Sequence, residues 1–283
     1  MAKAIMVQGT ASNVGKTIMT LALCRIFKED GYKVSPFKPQ NMTANTCLTE
    51  SGDEIAVSQW LQAQAAGITP DFYINPVVLK PSLQGALAVV NGKPCGEVNL
   101  YNSQEVRKEL LPVITDAYAH LSAKYDIVVI EGAGSPVELN LNQNDIVNMG
   151  MAKIAKSPVV LVSDIDRGGV FASLYGTINL LCEEERAYVK ALIVNRFKGE
   201  ARYFNDGVAI LEKITQLPVA GVVPAVNIDL PEEDTRRSEL KVTDESLRGF
   251  EAQFDNIAQT VRKALDMDLI YEILRDHPII TTK

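Results

Sequence analysis

The sequence predicts an α/β protein with a doubly wound, mostly parallel sheet, and two observations carry this prediction. Short, almost wholly apolar runs alternate along the chain with longer stretches of helical spacing. Strands this apolar are buried on both faces, as in a parallel sheet that helices cover. The strand–helix order repeats along most of the chain, and this repetition is typical of the doubly wound class.

The expected elements follow one another in a regular order. The run AIMVQG predicts a buried strand, and VGKTIMTLALCRIFKEDG predicts the helix after it. YKVSPFKP predicts the next strand, and EIAVSQWLQAQAAG predicts a second helix. Four further strand-to-loop units are expected in YDIVVIEGAG, SPVVLVSDID, VKALIVNRF and LPVAGVVP. Because such sheets bind ligands beyond the carboxyl ends of their strands, the functional residues are expected there.

The domain organisation has three expected parts. Residues 1–233 form the main domain, residues 234–249 a linker, and residues 250–283 a C-terminal helical tail. The linker prediction depends on PEEDTRRSELKVTDESLRG, which is polar, charged and poor in apolar residues. The segment NPVVLKPSLQGALAVVNGKPCGEVN carries short strand-like runs, and we expect it to be inserted between sheet strands and to cover a site.

Composition argues against several classes of protein. The chain has 283 residues, 47% of them apolar, and its net charge of −7 argues against a general nucleic-acid binder, although a local basic patch is left open. No apolar run approaches the ~18 residues of a membrane span. The four cysteines are far apart and form no Cys-x-x-Cys pair, which indicates reduced thiols. We expect a cytoplasmic protein with neither nucleic-acid nor membrane partners; a homodimer is left open.

The stretch GTASNVGKT predicts a phosphate-binding loop of the P-loop NTPase class, although it is one residue longer than the usual pattern. A strand that leads through such a turn into a helix directs backbone N–H groups at phosphate oxygens. Lys16 would reach the β and γ phosphates of ATP, and the Thr17 hydroxyl would bind Mg²⁺. The expected nucleotide-binding residues are Gly9, Thr10, Asn13, Val14, Gly15, Lys16, Thr17 and Asn195.

Carboxylates for Mg²⁺ are expected at two further points. Glu131 ends the strand DIVVIE and precedes Gly-Ala-Gly, which suits an acidic metal ligand or a water organiser. Asp53 and Glu54 are expected to begin the second helix and would supply another ligand. A carboxylate at a helix start can also be a simple cap or dipole partner. The predicted metal ligands are therefore Thr17, Asp53, Glu54 and Glu131.

Three other strand ends carry polar residues, and each of them has one functional and one structural interpretation. Lys38 would direct its ammonium at the phosphates, or it is a solvated surface lysine. Asn195 would read a purine edge, or it is a turn asparagine. In SDIDRGG, residues Asp164, Asp166 and Arg167 suit an anionic substrate or a second metal, or they form a helix cap with a local ion pair. The predicted catalytic residues are Lys16, Lys38, Glu131 and Asp166.

GTASNVGKT is similar to the loop of dethiobiotin synthetase and of the cobyrinic and cobyric acid amidotransferases. The remaining motifs resemble the cobyric acid synthase family: FKPQNMT, EIAVSQWLQAQAAGI, NPVVLKP, VNGK, YDIVVIEGAGSPVELNL, DIVNMGMA, PVVLVSDIDRGGVFASLYGT and PVAGVVP. This resemblance spans Met1 to about Asp234 and implies a dethiobiotin-synthetase-like P-loop fold. It also implies a corrinoid substrate, adenosylcobyrinic acid a,c-diamide. ATP and Mg²⁺ would activate its side-chain carboxylates, and ammonia would then convert them to amides to give cobyric acid. The expected substrate residues are Gln40, Asn41, Asp164 and Arg167.

The sequence departs from that family after the ATPase half. Family members usually carry a glutaminase domain there, with a cysteine nucleophile and a catalytic histidine, whereas no cysteine of this chain lies in such a turn. The tail, with LDMDLIYEIL, resembles the end of the full-length proteins. We therefore expect ammonia to be free or to come from a separate glutaminase subunit that docks near Glu232–Gly249.

Three other functions compete with this prediction. A dethiobiotin-synthetase-like carboxylase shares the loop, but FKPQNM and SDIDRGG favour the corrin enzyme. A P-loop switch or partitioning ATPase would expose DNA-, membrane- or partner-binding surfaces. The acidic balance of the sequence and the absence of a terminal amphipathic membrane helix argue against this class. A non-catalytic remnant is the third, and retention of Lys16, Thr17 and Glu131 argues against it.

Overall fold

The fold was analysed in a computed structural model, which describes residues 1–82, 85–98, 103–139, 145–226, 230 and 244–275. In chain order the strands are β1 (Lys3–Gly9), β2 (Val34–Phe37), β3 (Gln40–Met42), β4 (Thr46–Leu48), β5 (Glu54–Ala56), β6 (Val77–Ser82), β7 (Gly85–Val90), β8 (Lys93–Val98), β9 (Ile127–Glu131), β10 (Val159–Asp164), β11 (Val189–Phe197) and β12 (Val219–Pro224). The helices are α1 (Lys16–Glu29), α2 (Val57–Ala66), α3 (Ser103–Lys124), α4 (Met149–Ala155), α5 (Val170–Leu180), α6 (Glu183–Arg186), α7 (Asn205–Thr215), α8 (Asp244–Ala264) and α9 (Met267–Arg275).

The central sheet has six strands in the order β12–β11–β10–β1–β9–β2, and every pairing in it is parallel. Its middle strands are mostly apolar because both faces are covered, and Ile127–Glu131 is buried at every position. The predicted doubly wound α/β fold is confirmed. All six carboxyl ends lie at one edge of the sheet, which is where such folds bind their ligands.

A smaller sheet in the order β3–β6–β7–β8 lies between β2 and β9 in the sequence. Strands β6, β7 and β8 form an antiparallel meander, and β3 pairs in parallel with β6. The segment expected to be inserted between the main strands therefore forms strands of a second sheet. Its role as a cover over the site stays a prediction.

The second predicted helix begins later than expected. Residues Glu54–Ala56 form strand β5, which pairs with β4 in an antiparallel hairpin, and α2 starts at Val57. Asp53 and Glu54 are therefore not at a helix start, and a helix cap is excluded for them. The apolar spacing of the helix extends back through Ile55 and Ala56, so the sequence pattern alone does not mark the boundary.

Helices α8 and α9 pack onto the main domain. Phe254, Ile257, Ala258 and Val261 are buried on one face of α8, at the i, i+3, i+4, i+7 spacing of an amphipathic helix. This helix packs along α1 and β12, and α9 packs against β1 and β12. Helix α8 starts at Asp244, so residues 244–249 of the expected linker are helical. Residues 232–243 of the expected docking segment Glu232–Gly249 lie outside the described residues.

Two arginines reinforce this packing. The Arg25 guanidinium, on α1, lies 2.9 Å from Glu251 and 2.5 Å from Asp255 of α8. Arg262, on α8, lies 2.9 Å from Asp30 at the end of α1. Burial alone would raise the pKa of Asp30, but hydrogen bonds from Arg262 and Tyr271 hold that pKa below its ordinary value. Within the described residues, no helix is long and apolar enough to cross a membrane.

Candidate nucleotide-binding site

The phosphate loop joins the end of β1 at Gly9 to the start of α1 at Lys16. Asn13 and Gly15 have left-handed backbones, with φ of 59° and 102°. A Cβ on Gly15 would lie 2.0 Å from Asn195 Nδ2, so neither the conformation nor the space allows another residue. The phosphate loop, which is one residue longer than the usual pattern, thus forms a turn that leads directly into α1.

Two strand ends brace this loop. The Thr10 and Ser163 hydroxyls are 2.9 Å apart, and the Thr10 backbone N–H donates to Val162 O over 3.0 Å. The Asn195 side chain, at the end of β11, donates from Nδ2 to Val14 O over 2.8 Å. Of the expected nucleotide residues, Asn195 is therefore in contact with the loop itself, and a purine-reading role stays a prediction.

Lys16 links the phosphate loop to the loop that follows β9. Its ammonium donates to Ala11 O over 2.9 Å and to Gly134 O over 3.1 Å. The residue is only 6% exposed. The ammonium is therefore held at the sheet edge, between the two loops that the sequence predicts to surround the phosphates.

Glu131 is the most heavily contacted carboxylate of the site and is fully buried. Its Oε1 accepts from Lys38 Nζ over 2.9 Å and from Thr17 Oγ1 over 2.8 Å. Its Oε2 accepts from Gln62 Nε2 over 2.6 Å. A buried charge needs both an opposite charge and hydrogen bonds, and Glu131 has both. Lys38 is buried, so the surface-lysine reading is wrong.

Two glutamines on α2 also contact Glu131, and they were not predicted from the sequence. Gln59 and Gln62 are three residues apart, hence on one helix face, and that face is turned towards Glu131 Oε2, at 3.4 Å and 2.6 Å. Both are fully buried. The available signal was the pair of polar residues within the apolar stretch EIAVSQWLQAQAAG, because buried polar side chains need a partner.

Asn41 lies behind this pair of glutamines. Its Nδ2 donates to Gln59 Oε1 over 2.8 Å and to Ser58 Oγ over 3.2 Å, and the residue is 1% exposed. Gln40, its neighbour on β3, is half-buried. The structure thus connects Asn41 to the carboxylate of Glu131 through Gln59. Substrate contact by either residue stays a prediction.

Asp53 and Glu54 form separate ion pairs with lysines of the small sheet. Lys93 Nζ lies 2.7 Å from Asp53 Oδ1, and Lys80 Nζ lies 2.7 Å from Glu54 Oε1. Hydrogen bonds from Lys93 and Ser51 hold the pKa of Asp53 below its ordinary value. Throughout the part of the chain that the structure describes, no group of three or more His, Cys, Asp or Glu side chains could hold a metal ion. Thr17 and Glu131 are the two expected ligands that meet.

The residues of SDIDRGG lie at the carboxyl end of β10. The Asp164 carboxylate is buried and accepts from Arg196 over 2.9 Å, while Arg167 lies 3.6 Å away. Asp166 pairs with the exposed Lys198 over 2.6 Å. The local ion pair that the sequence left open is therefore present, and its main partner, Arg196, was not identified from the sequence.

Residues 3–229 match the family model described as an AAA domain. The chain belongs to this family. It is 51% identical over 240 residues to the cobyric acid synthase of Lachnoclostridium phytofermentans, covering 83% of this chain and 47% of that protein. It is 50% identical over 236 residues to the cobyric acid synthase of Streptococcus sanguinis, with coverage of 83% and 47%. The chain thus spans about half the length of these curated relatives, and the resemblance found in its motifs is confirmed.

Among solved structures, the MinC:MinD cell division protein complex of Aquifex aeolicus is similar, with 16% identity and a TM-score of 0.48. The alignment covers 97% of this chain and 96% of that chain. All the predicted site residues lie within the region that matches the AAA domain, whereas α8 and α9 follow it.

Proposed function

We propose that this chain catalyses the ATP- and Mg²⁺-dependent amidation of corrin side-chain carboxylates, from adenosylcobyrinic acid a,c-diamide to cobyric acid. The observation that carries the proposal is the convergence of Lys16, Thr17, Lys38 and Glu131 at one edge of the sheet. It is supported by about 50% identity to proteins named cobyric acid synthase.

The chemistry begins with a carboxylate, which is a poor electrophile towards an amine. Transfer of the γ-phosphoryl group of ATP to a carboxylate oxygen gives an acyl phosphate and ADP. Ammonia then attacks the acyl carbon, the bond to the phosphate oxygen breaks, and inorganic phosphate leaves. The protein's part is to position the groups and to offset the charge that spreads over the transferring phosphoryl group.

The residues of the site fit these tasks. Lys16 and the backbone N–H groups at the start of α1 present positive charge to phosphate oxygens. Lys38 adds a second ammonium, whose charge Glu131 balances. Exclusion of water would protect the acyl phosphate from hydrolysis, and the sheet formed with β6–β8 is the proposed cover.

The oxygen donors also fit Mg²⁺, which prefers hydroxyl and carboxylate oxygens and retains several waters. Thr17 Oγ1 and Glu131 Oε1 are 2.8 Å apart, so a single ion could contact both. These two residues would hold the ion, which when bound neutralises charge on the β and γ phosphates. The separate ion pairs of Asp53 and Glu54 make them weaker candidates for the same role.

The test is amidation by ammonium salts, measured together with ATP hydrolysis, with and without the corrin diamide. Lys16→Ala should lower turnover about 10²–10³-fold, as expected when one transition-state charge contact is lost. Lys263→Ala, an exposed position on α8, is the matched control. Near-normal turnover in a folded Lys16→Ala protein would refute the assignment. Corrin-independent hydrolysis that no carboxylate stimulates would favour a switch ATPase.

The ammonia source is a separate part of the proposal. The chain lacks a cysteine in a nucleophile turn, so we propose that it uses free ammonia or ammonia from a separate glutaminase. With glutamine alone the pure chain should form no product and release no glutamate. Addition of a glutaminase subunit should restore glutamine use. Glutamate release by the chain alone would contradict this proposal without affecting the ATP-dependent step.

A further inference from the structure

Arg196 has an unusual backbone conformation for its residue type. It lies at the end of β11 with φ of 60°, the left-handed region that a non-glycine residue rarely adopts. The register between β11 and β12 shifts between Val194 and Phe197, so Asn195 and Arg196 lie in an irregularity of the strand. Irregularities of this kind redirect a side chain at the rim of a sheet.

The side chain redirected here is that of Asn195. It is 5% exposed, and its Nδ2 contacts Val14 O in the phosphate loop. Gly15 has no space for a Cβ because Asn195 occupies it. The position of the phosphate loop therefore depends on that of the Asn195 side chain, and the position of Asn195 depends on that of the loop.

Asp164 is the group that holds Arg196. Asp164 and Asn195 are directly paired across β10 and β11. The Asp164 carboxylate is 2% exposed and accepts from Arg196 through Oδ2 and from the Asp166 N–H through Oδ1. Both oxygens are thus engaged inside the protein, and only the more distant Arg167 adds a third contact.

We propose that Asp164 and Arg196 are positioning residues for nucleotide binding: their ion pair holds the left-handed turn that directs Asn195 to the phosphate loop. This inference deepens the proposed function and rests on it only for the identity of the nucleotide. It assigns Asp164 a role other than the substrate contact expected from the sequence.

The experiment measures the dissociation constant of a non-hydrolysable ATP analogue with Mg²⁺, without corrinoid. Asp164→Asn and Arg196→Ala should each weaken binding about tenfold, the size expected for one misplaced hydrogen-bonding contact. Glycine adopts the left-handed backbone without strain, so Arg196→Gly should retain more affinity than Arg196→Ala. Glu200→Gln, which loosens the exposed Arg202–Glu200 pair in the loop after β11, is the matched control and should bind like the parent.

A double-substitution cycle separates positioning from direct contact. In the Arg196→Gly background, Asp164→Asn should have no further effect, because no left-handed arginine remains to be held. Additive losses would show that Asp164 acts independently of Arg196 and would overturn the inference. So would unchanged affinity in an Arg196→Ala protein whose circular dichroism spectrum and cooperative unfolding show that it is folded, a check that is needed because the variant leaves the buried Asp164 carboxylate without its main partner.

The turnover readout adds an independent test. Saturating ATP should restore kcat in Asp164→Asn while the KM for ATP stays raised. A raised KM for the corrinoid with normal nucleotide affinity would instead identify Asp164 as a substrate residue. If the parent chain does not bind the analogue at all, both this inference and the proposed function fail; if the parent binds and the variants match it, the inference alone fails.

Discussion

Lys38 Nζ lies 2.9 Å from Glu131 Oε1, and both side chains are almost completely buried. Neither charge has access to bulk water, so each depends on the other and on the hydrogen bonds around it. The same Glu131 oxygen accepts from Thr17 at the start of α1. The strand ends of β2 and β9 and the first turn of α1 are therefore joined through one carboxylate oxygen.

The first prediction concerns this pair. Lys38→Met leaves a buried carboxylate without its partner, so the free energy of unfolding should fall by about 3–5 kcal/mol. The double variant Lys38→Met with Glu131→Gln removes both charges and should recover most of that loss while remaining inactive. Chemical denaturation measures the stability, and ATP hydrolysis measures the activity. An additive loss of stability in the double variant would contradict the pairing.

The second prediction concerns the metal. Glu131→Gln keeps the size of the side chain and removes its charge, so the Mg²⁺ concentration for half-maximal activity should rise. We expect kcat at saturating Mg²⁺ to fall as well, because Lys38 loses its counter-charge. A titration of Mg²⁺ at fixed ATP checks both. An unchanged Mg²⁺ dependence would transfer the ligand role to Asp53 or Glu54.

A third prediction tests the glutamines of α2. Gln62→Leu removes the donor to Glu131 Oε2, so the carboxylate should be less well oriented towards Thr17 and the Mg²⁺ requirement should rise about tenfold, the equivalent of ~1.4 kcal/mol. Gln64→Leu changes the same residue type on the same helix at a half-buried position, and it is the matched control. Equal effects of the two variants would reduce Gln62 to a packing role.

Gly15→Ala provides the fourth prediction. The new Cβ would meet the Asn195 amide at 2.0 Å, and φ of 102° is strained for alanine, so nucleotide binding should be lost. Gly176→Ala, inside α5, introduces a Cβ with no atom within 4 Å and should raise stability by ~0.5–1 kcal/mol. Isothermal titration with an ATP analogue and thermal unfolding distinguish the two changes. Wild-type affinity in Gly15→Ala would show that the loop rearranges freely.

The fifth prediction concerns pH and the attachment of α8. The folded pKa of Asp30 is depressed by its partners Arg262 and Tyr271, despite the opposing effect of burial. Its contribution to stability is therefore complete above the unfolded pKa of about 3.9 and is lost as pH falls through the lower folded pKa. Arg262→Ala should cost about 0.5–1 kcal/mol at pH 7, a value limited by solvent screening.

This cost should shrink as the pH falls from about 4 through the lower folded pKa of Asp30, below which Asp30 is protonated in both states. Denaturation of parent and variant at pH 7 and pH 3 measures it. Arg202→Ala, in an exposed pair with Glu200, should cost less at either pH. A pH-independent cost of Arg262→Ala would mean that packing of the arginine stem, rather than its charge, holds α8.

The sequence was sufficient to predict the sheet and to place the phosphate loop and Glu131 at strand ends, because these positions depend on local signals; the roles of these residues stay predictions. A stretch of about ten residues is enough to recognise a buried apolar strand, a glycine turn or a carboxylate at a strand end. The start of α2 was placed too early because Ile55 and Ala56 continue its apolar pattern, while their pairing with β4 depends on residues from a different part of the chain.

The missed parts of the site are those defined by long-range contacts. Gln62 meets Glu131 across 69 positions of sequence, and Arg196 meets Asp164 across 32. The local sequence marks Gln62 as a polar residue in an apolar helical stretch but does not identify its partner, and nothing local distinguishes Arg196 from an ordinary turn residue. Their roles follow from burial, which forces each polar group to find a partner, and burial of this kind depends on the assembled fold.

The return of the chain to the main domain at α8 has a topological consequence. β12 ends at Pro224 and α8 begins at Asp244, and both are anchored in one core. The residues between these points therefore connect two ends that lie in the same core. The entropy cost of closing a flexible connection grows only logarithmically with its length, so each doubling of the length costs about 0.6 kcal/mol. We therefore expect this position to tolerate insertions: a stretch of almost any length, up to a complete folded unit, should be accommodated there while the core keeps its stability.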